Sequence, residues 1–277
     1  LIGLFAGAGM GKIVVMQELI YVVAQRGGRT VCFGLEERTH AADGFMLEMR
    51  SGGVHDKLAM VLAKRDEAEH DRERALLAAI TLAEQFDRPD RDVLLFIDVQ
   101  CTPLLTRDAV RTRLEQGALT TLLFGTPDDL AALPSSITLD TTVIFSLAFA
   151  KQQVWPAVDP LQSRSSLLDP QLVGFEHVEV TQRARDLLRR YADLHEIVET
   201  RGIDALAEED RTVAIRARRV QRFLTQPFAV AEPWTGIPGE TVPLADTING
   251  VAAIMAGRYD DVPEDALHFI GAIEHIA

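Results

Sequence analysis

Apolar residues follow two different patterns along the chain. In the first part, short and nearly continuous apolar runs are typical of strands that are buried on both faces. These runs cover residues 1–5, 30–34 and 93–97. Between them, apolar residues at helical spacing predict helices over residues 13–25, 45–49 and 72–86. Because strands that alternate with helices build parallel sheets covered on both sides, residues 1–173 are predicted to form an α/β domain.

A helical pattern replaces this alternation from residue 174 onward. Four helices are predicted, over residues 178–199, 208–224, 244–255 and 264–276. Residues 174–277 are therefore expected to form an all-helical C-terminal domain. The stretch from residue 99 to 151 contains strand-like and helix-like pieces, separated by Gly125, Pro127 and Pro134, and it predicts no definite order of elements.

The composition narrows the possible functions. The chain has 277 residues, of which 47% are hydrophobic, enough for a large core. Its 28 basic and 41 acidic residues give a net charge of −13, which repels a phosphate backbone and argues against nucleic-acid binding. The longest apolar runs fall well short of the roughly 20 residues that cross a bilayer. Cys32 and Cys101 each lie in or beside an apolar run, so we expect reduced core residues.

A glycine-rich segment lies between the first predicted strand and the first predicted helix. It reads Gly7-Ala8-Gly9-Met10-Gly11-Lys12 and continues into the helix with Ile13 and Val14. In this position the N–H groups of the loop and the positive end of the helix can bind phosphate oxygens, and a lysine adds a full charge. A glycine-rich surface turn is the alternative. The coincidence of strand, glycines, lysine and helix favours a loop that binds the phosphates of a nucleoside triphosphate.

Two positions depart from the usual phosphate-loop pattern, GxxxxGK followed by Ser or Thr. Ala6 replaces the first glycine, which would cost about 1–2 kcal/mol if that position required a left-handed backbone. Ile13 replaces the residue whose hydroxyl binds Mg²⁺, and its side chain has no ligand atom to offer. The loop is therefore expected to bind the triphosphate, with the placement of Mg²⁺ altered.

Eight segments resemble the beta subunit of the rotary, F-type ATP synthase in their order and spacing. They are LIGLFAGAGMGKIVVMQELIYVV at 1–23, ERT at 37–39, DKLAMV at 56–61, DVLLFID at 92–98, WPAVDPL at 155–161, LDPQLVG at 168–174, QRFLTQPFAVAE at 221–232 and TGIPG at 235–239. The resemblance implies a RecA-like P-loop NTPase domain, with a parallel sheet flanked by helices, followed by a helical domain. The N-terminal β-barrel domain of that family has no counterpart here, so we expect a truncated and divergent member.

The resemblance assigns roles to individual residues. Glu37 matches the catalytic glutamate that orients the water attacking the γ-phosphate, and Arg38 matches an arginine that contacts the phosphates. Lys12 matches the lysine that binds the β- and γ-phosphates, and Asp98 the acid that holds Mg²⁺ through water. The aromatic positions that enclose the adenine of ATP or ADP are matched by Trp155, Phe228 and Trp234.

Other positions depart from the family. Glu36 replaces a glycine beside Glu37 and adds a second carboxylate that repels phosphate. Thr102 takes the place of the phosphate-site arginine that follows Asp98, and Leu147 takes the place of another arginine. The interval that follows Asp98 is much shorter than in the family, so the middle of the nucleotide-binding domain is expected to be reduced.

The resemblance also implies partners. Alpha-type subunits would complete a hexameric ring and supply an arginine finger in trans, so the isolated chain is expected to be nearly inactive. The acidic segment from Asp204 to Asp210 matches the loop that pushes on the central, gamma-type shaft. ATP synthesis or hydrolysis would be coupled to proton transport by other subunits. The chain would thus lie peripherally, at a bacterial inner membrane on its cytoplasmic face, or at a mitochondrial inner membrane, a plastid inner membrane or a thylakoid.

Three alternatives stay open. The first is a non-catalytic ring subunit that binds nucleotide without turnover, which Ala6, Ile13 and Glu36 favour. The second is a related secretion ATPase or ring helicase, which the acidic segment and the lack of a basic channel argue against. The third is a deletion-damaged product, because removing part of a parallel sheet would expose strand edges.

Overall fold

The computed structural model describes residues 1–36, 46–47, 49–117 and 119–276. The chain divides into two compact units, Leu1–Leu147 and Ala148–Ala277. Within the described residues, no helix combines the length and the apolar character that a membrane span requires.

The first unit is built on a parallel sheet. Its strands are β1 (Ile2–Phe5), β2 (Arg29–Glu36), β3 (Leu58–Lys64), β4 (Val93–Asp98), β5 (Thr120–Gly125) and β6 (Thr141–Ile144). They lie in the order β3-β2-β4-β5-β1-β6, and each neighbouring pair is parallel. Strand β1, which leads into the glycine-rich segment, is therefore flanked by β5 and β6. The predicted parallel sheet of the P-loop NTPase fold is confirmed.

Helices connect these strands. They are α1 (Lys12–Gln25), α2 (Glu69–Phe86), α3 (Thr102–Leu105), α4 (Asp108–Gln116) and α5 (Pro127–Ala131), followed by α6 (Leu147–Lys151), within which the two units meet in sequence. Helix α2 begins three residues before the predicted start. Of the predicted helix at 45–49, residues 46, 47 and 49 are helical, and Phe45 lies outside the described residues.

Both faces of the sheet are buried, which explains the continuous apolar runs. On β2, Val31 and Phe33 pack in a cluster with residues of α2 such as Ile80. Cys32, between them, points to the other face and packs in a cluster with Met16 and other residues of α1. Because successive side chains of a strand alternate between faces, a strand buried on both sides needs apolar residues at every position.

Strand β3 is missing from the sequence-based prediction. Its sequence, LAMVLAK, consists mainly of leucine, alanine, methionine and lysine, which favour helices in isolation. Seven residues of β3 nevertheless pair with β2 from Thr30 to Glu36. Pairing with a neighbouring strand thus overrides the local helix preference. Strands β5 and β6 likewise resolve the stretch that the sequence left undefined.

The two cysteines provide a test of this core. Burial raises the pKa of both Cys32 and Cys101 to about 12, because the thiolate loses its hydration. We expect neither thiol to react with an aromatic disulfide reagent in native buffer at about pH 8, since the thiolate is the reactive form. Both of the chain's 2 cysteines should react in denaturant. Rapid labelling of the native chain, followed by absorbance, would contradict the described packing.

The second unit is helical. Its helices are α7 (Pro170–Val173), α8 (Phe175–Arg201), α9 (Glu208–Phe223), α10 (Glu232–Thr235) and α11 (Leu244–Met255), and it also contains a two-residue strand, β7 (Arg164–Ser165). Helix α8 starts directly after Gly174, and the predicted bounds of α11 are the observed ones. Val180, Val220 and Ile254, from α8, α9 and α11, share one buried cluster. The helical character of the C-terminal region is confirmed.

The predicted helix over residues 264–276 is wrong. The segment forms two short 3₁₀ turns, Glu264–Leu267 and Ile273–His275. Between them Phe269 has φ 56° and Gly271 has φ 70°, values that a right-handed helix does not tolerate. The phenylalanine N–H instead donates to Thr225 Oγ1 at 2.8 Å. Hydrogen bonds to the end of α9 thus decide the path of the chain here.

Candidate functional site

The glycine-rich segment forms the connection between β1 and α1. Gly11 is the N-cap of α1 and has a left-handed backbone, with φ 78° and ψ 15°. Gly9 also has a positive φ of 75°, and a Cβ there would meet no atom within 4 Å. Glycine thus supplies the backbone conformation at both positions, and at Gly9 space is not the reason for it. The resulting strand, loop and helix have the arrangement that binds phosphate at a helix N-terminus.

Ala6 fits its position without backbone strain. Among described residues other than glycine, positive φ occurs at Gln153 and Phe269 alone, so the anticipated left-handed penalty does not arise at Ala6. The residue is buried, and its N–H donates to the carbonyl of Gly125 at 3.0 Å. The missing first glycine therefore leaves the start of the loop intact.

Lys12 lies at the centre of the carboxyl edge of the sheet. Its Nζ donates to the carbonyl oxygen of Gly125 at 3.0 Å and lies 5.9 Å from the centre of the Phe124 ring. Burial lowers the pKa of Lys12 below its ordinary value, while the charges of Asp98 and Asp129 oppose that decrease. The side chain is therefore partly desolvated and close to two carboxylates.

Asp98 ends β4 and lies at the same edge. Its Oδ1 accepts a hydrogen bond from Gln100 N at 2.9 Å, at the start of a 3₁₀ turn. Burial raises the pKa of Asp98, and this outweighs the opposing effects of the Gln100 hydrogen bond and the charge of Lys12. Ligands of open parallel sheets bind beyond the carboxyl ends of the strands. The structure thus brings together Lys12, which is predicted to bind phosphate, and Asp98, which is predicted to hold Mg²⁺ through water.

A second acidic residue at this edge, Asp129, was not predicted. Thr126 is the N-cap of α5, its Oγ1 accepts from Asp129 N at 3.4 Å, and its own N–H donates to Asp129 Oδ2 at 2.7 Å. This is a capping box, whose spacing of Thr and acid is visible in the sequence. Neither residue had a predicted role. Their contribution to the field around Lys12 became apparent from the fold.

The predicted metal site agrees only in part with the residues present. Ile13 is 46% exposed at the first turn of α1 and offers no oxygen. Within the described chain, no group of three or more His, Cys, Asp or Glu side chains could hold a metal ion. The described residues alone therefore do not fit a cation held directly by protein ligands. The carboxylate of Asp98 fits contact with a hydrated cation that arrives with the nucleotide, since Mg²⁺ keeps several waters.

Some predicted site residues remain untested. Glu37 and Arg38 lie outside the described residues, directly after the end of β2 at Glu36. Met10 and Val14 lie in the loop and in the first turn of α1. Their roles toward nucleotide stay predictions.

The three predicted adenine-binding aromatics belong to the second unit. The carbonyl of Trp155 accepts from Gln226 N at 2.8 Å, which brings Trp155 near the segment that contains Phe228. Trp234 lies on α10 and is 73% exposed. None of the ring contacts found among described residues joins these three side chains. Their contact with adenine stays a prediction from the resemblance.

The acidic segment from Asp204 to Asp210 follows α8, and its last three residues form the first turn of α9. Arg190 on α8 forms ion pairs with Glu209 at 3.0 Å and with Asp210 at 2.8 Å. Arg211 Nη2 also donates to the carbonyl of Asp204 at 3.0 Å. The segment is therefore held to the helices on both sides of it, a geometry suited to a rigid connection rather than a loose acidic loop.

Two family models match the chain. Residues 1–102, which contain the glycine-rich loop, Lys12 and Asp98, match the nucleotide-binding domain of the ATP synthase alpha/beta family. Residues 168–249 match the C-terminal domain of V and A type ATP synthase. The matches do not separate an alpha from a beta type. Both models describe domains of ATP synthases, and together the two matches support an ATP synthase alpha/beta-type subunit.

Proposed function

We propose that this chain is a beta-type subunit of a proton-translocating ATP synthase, which binds ATP or ADP and forms or hydrolyses ATP at an interface with an alpha-type neighbour. The observation that carries the proposal is that Lys12, at the end of the glycine-rich loop, and Asp98, at the end of β4, lie together at the carboxyl edge of the sheet. A lysine and a loop of N–H groups bind the phosphates, and a carboxylate beside them can orient a hydrated cation.

The chain's own residues would divide the work as follows. Lys12 exchanges its hydrogen bond to the Gly125 carbonyl for the β- and γ-phosphates. Asp98 would hold the water shell of Mg²⁺ through hydrogen bonds, and the bound ion would supply the charge that neutralises the phosphates. Glu37 orients the attacking water, and Arg38 contacts the phosphates. We assign the contact with a gamma-type shaft to the segment from Asp204 to Asp210, and the membrane is reached through partner subunits.

A non-catalytic nucleotide-binding ring subunit is the second candidate. The exposed apolar side chain of Ile13, at the position of a metal-binding hydroxyl, is the observation that favours it. Such a subunit would bind nucleotide through Lys12 and transmit conformational changes to its neighbours without hydrolysing the nucleotide.

ATP titration with and without Mg²⁺, on the full chain and on Ile13→Thr, tests the two candidates. We expect the unmodified chain to bind ATP with little dependence on Mg²⁺. Ile13→Thr should increase the effect of Mg²⁺ about tenfold, the scale of one charge-assisted contact. Ile13→Val is the matched control, because it keeps the branched shape without a hydroxyl, and it should behave like the unmodified chain.

Turnover decides between the candidates. A beta-type subunit mixed with an alpha-type partner should hydrolyse ATP, measured as phosphate release. Binding without any phosphate release, in either the unmodified chain or Ile13→Thr, would favour the non-catalytic subunit. Failure of both forms to bind ATP would contradict nucleotide binding itself.

A further inference from the structure

Arg65 lies at the carboxyl edge of the sheet, on the side of β3. It follows Lys64, the last residue of β3, and its Nη2 donates a hydrogen bond to Oε1 of Gln100. Gln100 in turn belongs to the 3₁₀ turn that follows β4 and bonds to Asp98 through its N–H. Since β2 lies between β3 and β4, the Arg65 side chain reaches across the end of β2.

The charge of Arg65 acts on the candidate site. Gln100 accepts from Arg65 and donates its own N–H to Asp98 Oδ1, so the guanidinium and this carboxylate share one hydrogen-bond partner. Asp98 is therefore within the electrostatic reach of two cations, one on each side. Lys12 lies on the β1 side of Asp98 and Arg65 lies on the β3 side.

The chain that follows Asp98 supplies no cation of its own at this point. Residues 99–106 contain neither lysine nor arginine. Asp98 and Asp129 add two carboxylates beside Lys12 to the charges of a bound triphosphate, so a further cation at this edge would stabilise the complex. A guanidinium from a different strand suits this role, because its planar fork presents two parallel N–H donors to phosphate oxygens.

We propose that Arg65 is a further phosphate-binding cation of this site, in addition to Lys12 and Arg38, and that its hydrogen bond to Gln100 positions it. The assignment rests on the proposed binding of a nucleoside triphosphate at the loop. Arg65 would contact the terminal phosphates from the β3 side, opposite Lys12. The ligand class follows from the chemistry: a chain of phosphates spans two separated cations, whereas a single phosphate needs only one.

Binding of ATP, ADP and AMP to the full chain tests the assignment by calorimetry. We expect Arg65→Gln to weaken ATP binding about tenfold and AMP binding less than about twofold, since only the outer phosphates reach the guanidinium. Arg65→Lys should restore part of the loss, because it keeps the charge without the fork. Arg74→Gln is the matched control: Arg74 lies on α2, is largely exposed and should leave all three affinities unchanged.

The outcomes separate this assignment from the proposed function. If the unmodified chain binds no ATP, nucleotide binding fails and this assignment fails with it. If ATP binding depends on Lys12 but Arg65→Gln changes nothing, the assignment alone is overturned. An equal loss for ATP and AMP would also overturn it, since that pattern indicates a change in the fold. Thermal unfolding of each variant identifies such a change directly.

Discussion

Replacing Lys12 with methionine should abolish most ATP binding while leaving the chain at least as stable. The ammonium is a charge-assisted donor to phosphate, and its loss should weaken ATP binding about 10- to 100-fold. The same group is partly desolvated, because burial lowers the pKa of Lys12. Methionine keeps an apolar side chain of similar length and removes the buried charge, so the thermal unfolding temperature should not fall.

The sign of the stability effect follows from the direction of the pKa shift. A lysine whose pKa is lower in the folded chain than in the unfolded chain destabilises the fold while it is charged. This destabilisation disappears as the pH rises through the folded pKa toward the unfolded pKa. At neutral pH the Lys12→Met variant should therefore have a higher free energy of unfolding than the unmodified chain, and this difference should shrink in alkaline buffer.

Lys151→Met is the matched control, because Lys151 is an exposed lysine in α6. It should change neither ATP affinity nor unfolding temperature. Calorimetry and thermal unfolding on the same samples provide both measurements. A fall in unfolding temperature for Lys12→Met, with ATP affinity unchanged, would assign Lys12 a structural role and contradict the phosphate site.

Replacing Gly125 with alanine should destabilise the first unit. An added Cβ would lie 2.5 Å from Val99 Cγ1, 3.0 Å from Val99 Cβ and 3.1 Å from Asp129 Oδ2. Overpacking of this kind costs about 1–3 kcal/mol. The carbonyl of Gly125 also accepts hydrogen bonds from Ala6 and Lys12, so a backbone shift here would disturb the phosphate loop. Thermal unfolding should move down by several degrees, with about 2–4 °C for each kcal/mol.

Gly34→Ala is the matched control for that prediction. Gly34 also lies in a strand of the same sheet, but the nearest atom to an added Cβ is Leu62 Cδ2 at 4.0 Å. Alanine there should be neutral or stabilising, because glycine costs about 0.5–1 kcal/mol relative to alanine inside a strand. Combining Gly125→Ala with Val99→Ala should recover part of the stability by removing the closest atom. Equal unfolding temperatures for Gly125→Ala and Gly34→Ala would contradict the described packing.

Local motifs were predictable from the sequence because their cause is local. The strand, glycine loop and helix around Lys12 follow from apolar runs, from glycines that allow positive φ and from helical spacing. Helices α9 and α11 were predicted almost to the residue, since their apolar positions repeat every three to four residues. Strand β3 was missed, because its residues prefer helix when taken alone and only pairing with β2 makes them a strand.

The composition of the site was only partly predictable. Lys12 was predicted from the glycine-rich loop and Asp98 from the resemblance to the ATP synthase beta subunit, and the parallel sheet brings the ends of their strands to one edge. Gly125, Asp129 and Arg65 lie at the same edge but come from segments of the chain that carry no familiar nucleotide motif. Their proximity depends on the order of strands in the sheet, which apolar patterns do not specify.

By itself, the sequence determined the type of this protein: two kinds of fold along one chain, a phosphate loop and the absence of a hydroxyl at Ile13. Each of these features depends on residues that lie close together in the sequence. Only the tertiary structure decided which charges surround Lys12, that Ala6 needs no left-handed backbone, and that the last segment is not a helix. These features depend on contacts between residues far apart in sequence, such as the hydrogen bonds of Lys12 with Gly125 and of Phe269 with Thr225.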